Sequence, residues 1–119
     1  MSSFRLMFAA LLAVLVMGGA SCVTPVPSAV AVYERVQPAA VEILVNGRMA
    51  GSGSIVDAGG SVLIAAHMLP VGNEAHLEAH SSTLGRQPLR LIALDLAHDL
   101  ALLQLPLQAE AYPHLTIAQ

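Results

Sequence analysis

Asn46-Gly47 joins two stretches that read as strands: Val41, Ile43 and Val45 alternate with smaller or polar neighbours before it, and Arg48 to Val56 follows it. Both turn residues accept positive φ, so the dipeptide predicts a tight hairpin whose arms pair antiparallel. Asp57-Ala58-Gly59-Gly60 repeats the turn chemistry one strand later, and Val62-Leu63-Ile64-Ala65 is a continuous apolar run of the kind buried in sheets. Ala75 to Ala79, Pro88 to Leu94 and Leu100 to Leu105 supply further strands, with Ser81 to Gly85 as an intervening loop. Six short strands and little helix predict an all-β fold, a six-stranded antiparallel barrel. A chain of 119 residues holds one small domain of this kind.

Ahead of the strands, Ser28 stands where it caps a short helix through Val36, with Ala29, Val32, Tyr33 and Val36 at helical spacing and Pro38 arguing against its continuation. Residues 23–29 carry Pro25 and Pro27, which deny donors to regular structure, and read as a linker. The segment from Leu107 to Gln119 is irregular, and it is expected to wrap the barrel. Apolar residues make up 55% of the chain but aromatics only 3%, so the core is aliphatic. There is no lysine, and the net charge is −3, which removes the basic footprint of a nucleic-acid binder.

Residues 1–22 read as a secretory signal peptide. Arg5 gives a weakly positive start, Leu6 to Met17 is uninterrupted apolar sequence too short to span a bilayer, and Gly18, Gly19, Ala20 and Ser21 are small. Cys22 is the only cysteine, so no intramolecular disulfide forms. Gly19-Ala20-Ser21-Cys22 resembles the lipobox of bacterial lipoproteins, in which the cysteine becomes the lipidated first residue. Glycine stands where leucine is usual, so lipidation of Cys22, with membrane anchoring, and simple cleavage after Ala20 both stay open. Removal of the leader leaves Arg35, Arg48, Arg86 and Arg90 against all eight acids, a mildly acidic mature chain.

The residues that bear chemistry are few. His67 lies at the end of an apolar run and Asp99 just before one, and each taken alone reads as an ordinary structural or solvated residue. His76, Glu78 and His80 alternate on one strand face as a partial metal-ligand set, but strand geometry spreads them, and an exposed polar face is the better reading. His98 and His114 read as surface or packing residues. Gly51-Ser52-Gly53-Ser54 lacks the lysine of a phosphate-binding loop, so neither metal nor cofactor is expected.

Taken together, the surroundings of His67 and Asp99 carry more. Gly51-Ser52-Gly53-Ser54-Ile55-Val56, a glycine turn, and Val62-Leu63-Ile64-Ala65-Ala66-His67 resemble the histidine region of trypsin-like serine proteases. Asp95-Leu96-Ala97-His98-Asp99-Leu100-Ala101-Leu102-Leu103 is similar to the aspartate strand of their bacterial HtrA-like branch, and residues 32–41 resemble that branch's entry helix and first strand. Ala65 stands where threonine is more usual. The resemblance covers residues 30–119 and implies the first barrel of a chymotrypsin-like fold, with His67 as general base and acid and Asp99 as its orienting carboxylate.

In such proteases a second barrel supplies the serine, the oxyanion amides and the specificity pocket. No serine follows Ser82 in this sequence, no Gly-x-Ser-Gly-Gly occurs, and Ser52 and Ser54 lie in the glycine-rich strand. The expectation is therefore a serine endopeptidase fragment with the second barrel absent: exported to the bacterial periplasm or envelope, inactive alone, and acting on polypeptide substrates only in the full-length family. A second barrel in trans, or self-association through the exposed barrel face, would be its partner. The rival reading keeps the fold and makes the chain a non-catalytic envelope lipoprotein or binding module.

Overall fold

The computed structural model describes residues 25–71 and 75–119. The expected signal peptide and Cys22 lie outside the described residues, and the linker is described only from Pro25. Helix α1 (Ala29–Val36) begins as expected: the Ser28 side chain accepts from the Ala31 N–H at 3.1 Å. It buries none of its residues and serves as an approach to the sheet, through a 3-10 turn at Gln37–Ala39 that holds Pro38.

Among the described residues seven strands follow: β1 (Ala40–Val45), β2 (Arg48–Ile55), β3 (Ser61–Ala65), β4 (Leu77–Ser81), β5 (Gly85–Pro88), β6 (Arg90–Asp95) and β7 (Leu100–Gln104). All pairings are antiparallel, in the order β5-β4-β1-β2-β3-β7-β6. The β1–β2 hairpin turns on Asn46 (φ 52°) and Gly47 (φ 80°), the two positive angles that the dipeptide predicts. Asn46 also ties this tip to the approach to β4: its N–H donates to the His76 carbonyl at 2.8 Å, and its Oδ1 accepts from the His76 N–H at 2.9 Å.

The count of seven corrects the expected six. The run from Pro88 to Leu94 reads as one strand, but Leu89 breaks it. Leu89 is 9% exposed and donates its N–H to the Leu77 carbonyl at 2.9 Å, which extends the β4–β5 ladder by one residue before the chain swings away to pair with β7. The two edge strands of the sheet are thus neighbours in the chain with only Leu89 between them. A sheet whose opposite edges are one residue apart must coil on itself, so the architecture is a barrel-like roll.

Inside the roll, Ile43, Ile55, Val62, Leu103 and Leu105 are fully buried, each contributing about 1.5–3 kcal/mol through removal from water. Gly53 lies among them, since a Cβ there would meet Ile64 Cγ2 at 2.8 Å and Val62 Cγ1 at 2.9 Å. The chain after β7 bonds back to the end of β2 and the turn before β3. Leu105, Tyr112 and Leu115 donate their N–H groups to the carbonyls of Gly60, Ala58 and Ile55. The Tyr112 ring is 4% exposed, and burial pushes its phenol above the ordinary value.

Candidate active site

Strand β3 delivers His67. The β3–β7 ladder runs from Ser61↔Gln104 to Ala65↔Leu100 and is continued by one more bond, from the Ala66 N–H to the Asp99 carbonyl at 2.9 Å. The chain then tightens into a 3-10 turn, Ala66–Met68, closed by the Leu69 N–H on the Ala66 carbonyl at 3.0 Å. Ala66 stays in the core while His67 swings out, its side chain 74% exposed. The glycine-rich strand permits this packing: a Cβ on Gly51 would run into the sulfur of Met68, the last residue of the turn.

Asp99 arrives from the other side of the same ladder. It closes the turn between β6 and β7 with φ 56°, a left-handed conformation that aspartate tolerates better than most residues. From there its two oxygens divide their work. Oδ1 accepts the His67 backbone N–H at 2.7 Å and Oδ2 meets His67 Nδ1 at 2.5 Å. A carboxylate only accepts, so Nδ1 is the donor in this contact, and the neutral tautomer that fits it carries its lone pair on Nε2. The two bonds hold both the ring and the turn that carries it, as a positioned general base requires.

These contacts hold the Asp99 carboxyl below its ordinary value of 3.8, the ring hydrogen bond being the larger cause and the backbone N–H the next. A carboxylate whose pKa is lower folded than unfolded stabilises the fold above the unfolded value, and that contribution is lost as pH falls through the folded value. Stability should therefore decline as pH drops from about 4. Because half of the Asp99 side chain is exposed, water screens the pair and the effect is modest. Asp57 adds to the decline, since the Ser61 side chain and N–H hold its carboxyl low as well. In urea melts between pH 3 and 6, Asp99→Asn should flatten this dependence in part. An unchanged slope would exclude the carboxylate from it.

A second pair repeats the clasp. Asp95 accepts the His98 N–H at 3.2 Å on Oδ1 and meets His98 Nδ1 at 2.8 Å on Oδ2. No sequence signal separates this pair from ordinary surface residues, although an aspartate three residues before a histidine in a turn is spaced for it. The three alternating residues do not converge on one point. His76 Nε2 lies 3.4 Å from Glu78, whereas His80 Nδ1 pairs with Glu42 at 3.2 Å, and no cluster of three metal-ligating side chains occurs among the described residues. Ser52 and Ser54 are strand residues of β2, paired with Glu42 and Ala40.

No protein-family model and no curated protein matches the chain. Among solved structures, it is similar to the protease domain of MamO from Magnetospirillum magneticum, in its apo form, with a TM-score of 0.55 and 26% sequence identity. The match takes in 71% of this chain but only 46% of the solved one, so the chain spans about half of that protease domain. This likeness supports a trypsin-like, chymotrypsin-type β fold for the chain.

Proposed function

We propose that the chain is the histidine-and-aspartate half of an HtrA-like serine endopeptidase, its first barrel, completed by a serine-bearing second barrel outside these 119 residues. The observation that carries this reading is where the clasp sits: Asp99 holds His67 by a 2.5 Å ring contact and a 2.7 Å backbone bond at the end of the β3–β7 ladder, in a chain similar over 71% of its length to a protease domain. In the proposed mechanism Nε2 of His67 takes the proton from the attacking serine hydroxyl and passes it to the leaving amine. Asp99 keeps the ring in the right tautomer and stabilises the imidazolium. The proposed second barrel would supply the nucleophile and the amides that bind the oxyanion, the larger electrostatic share of acyl transfer. A leader at residues 1–22 would export the protein to the periplasm, and lipidation of Cys22 would hold it at the envelope membrane.

The test has two arms. Incubated alone with casein and a fluorophosphonate probe of active serines, the chain should neither cleave nor be labelled, and labelling would refute the absence of a nucleophile. Joined to a second barrel bearing Gly-x-Ser-Gly-Gly, it should cleave. His67→Ala should then abolish cleavage, whereas activity indifferent to that change would overturn the assignment.

A further inference from the structure

Strand β6 is exposed at every position, yet it is not built as a protected edge. It pairs with β7 on one side, and among the described residues no strand pairs with its other side. Leu91-Ile92-Ala93-Leu94 is an unbroken apolar run, with Leu91 44%, Ile92 47% and Leu94 48% exposed. Protected edges carry a lysine, a proline or a charge within the strand, and such a run left bare is a template for another strand. The charges of β6 stand only at its ends, Arg90 and Asp95, and cancel.

The arrangement reads the same in both directions. Residues opposite one another in an antiparallel pair share a face. Leu91 and Leu94 lie opposite the buried Leu103 and Ala101, so they belong to the inner face. Arg90, Ala93 and Asp95 lie opposite Gln104, Leu102 and Leu100 on the outer one. The register shift between Leu91 and Ala93 sits at the middle of the strand, with Ile92 as the extra residue.

From this symmetry we infer that β6 pairs antiparallel with β6 of a second copy of the chain, about a two-fold axis between Ile92 and Ala93. In that register Arg90 faces the partner's Asp95, Leu91 faces the partner's Leu94, and Asp95 faces the partner's Arg90. Inner residues meet inner ones, and each end joins opposite charges. Isologous contacts of this kind close as dimers. Leu94 also lines a cleft of about 430 Å³ with His67, Leu96 and Asp99, so the partner's Leu91 becomes part of that cleft's rim. The pairing does not depend on the proteolytic reading.

Sedimentation of the full chain tests it. The unmodified chain should be a dimer in concentration-dependent equilibrium with monomer. Arg90→Asp and Asp95→Arg each set like charges face to face at both ends and should weaken association about tenfold or more. An equal mixture of those two variants should recover the dimer, because every end then meets its opposite, and the double variant should match the unmodified chain. Ile92→Lys should give the same loss as either single variant while leaving Asp95 and its bond to His98 untouched. A monomeric unmodified chain, open-ended aggregates, a mixture that fails to recover, or dimers of equal strength in every variant would each overturn the inference. The last of these is the result expected if the apolar leader were the contact.

Discussion

Under the proposed function, asparagine at position 99 should lower kcat about 10⁴-fold in the chain joined to a second barrel bearing Gly-x-Ser-Gly-Gly, with KM nearly unchanged. The reason lies in which atom holds the ring proton. Asp99 Oδ2 accepts from Nδ1, which leaves Nε2 free to take a proton. An asparagine that turns its amide group toward the ring donates to Nδ1 instead and moves the proton to Nε2, where it blocks base catalysis. The backbone bond from His67 to Oδ1 survives in that rotamer, so the fold should persist and the loss should fall on chemistry. Steady-state hydrolysis of a peptide amide measures it. A decrease smaller than tenfold, with an unchanged melting temperature, would deny Asp99 the orienting role.

Alanine at Gly60 should cost about 2–5 kcal/mol of stability, through backbone strain and overpacking together. Gly60 has φ +90°, a conformation that side chains rarely adopt. A Cβ there would also stand 2.8 Å from two atoms of the Tyr112 ring and 3.0 Å from Leu105 Cβ, both residues buried. Moving the ring would disturb the Tyr112 hydroxyl bond to the Pro106 carbonyl and the Tyr112 N–H bond to the Ala58 carbonyl. Small domains are stable by about 5–15 kcal/mol, so much of the total would go. Urea unfolding measures the change, and Gly47→Ala is the control, because its φ is also positive but no atom lies within 4 Å of its added Cβ. Equal losses at the two positions would assign the whole effect to the backbone and none to packing.

The parts of the fold legible in the sequence are those written in local chemistry. The Asn46-Gly47 hairpin, the turn before Ser61, the Ser28 cap and the buried Val62 and Ile64 all follow from φ preferences and alternation. Leu89 is different. Nothing in Pro88 to Leu94 marks a corner, because the corner arises where the chain leaves one partner strand, β4, after the Leu89 bond to Leu77, and takes up another, β7. The start of β4 differs for a related reason: His76 looks like a strand residue but is held by the Asn46 side chain and backbone N–H, so regular pairing starts at Leu77. His67 and Asp99 stand out only through the resemblance of their surroundings. Residue chemistry alone reads each as ordinary, since what distinguishes them is a ladder that sets the two side by side. The Asp95–His98 pair has the same clasp, which shows that this contact by itself does not mark a catalytic histidine.

Passage from one margin of the sheet to the other through Leu89 alone makes the circumference of the roll a tight constraint. With a single linking residue there is no slack, so β4–β5 and β6–β7 are obliged to keep step, and a slip in one must be absorbed by the other. His67 and Asp99 hang from the ladder that β7 shares with β3, and β6 lies along the far side of β7. Lengthening the chain at position 89 would therefore loosen the alignment of imidazole and carboxylate from a point that touches neither.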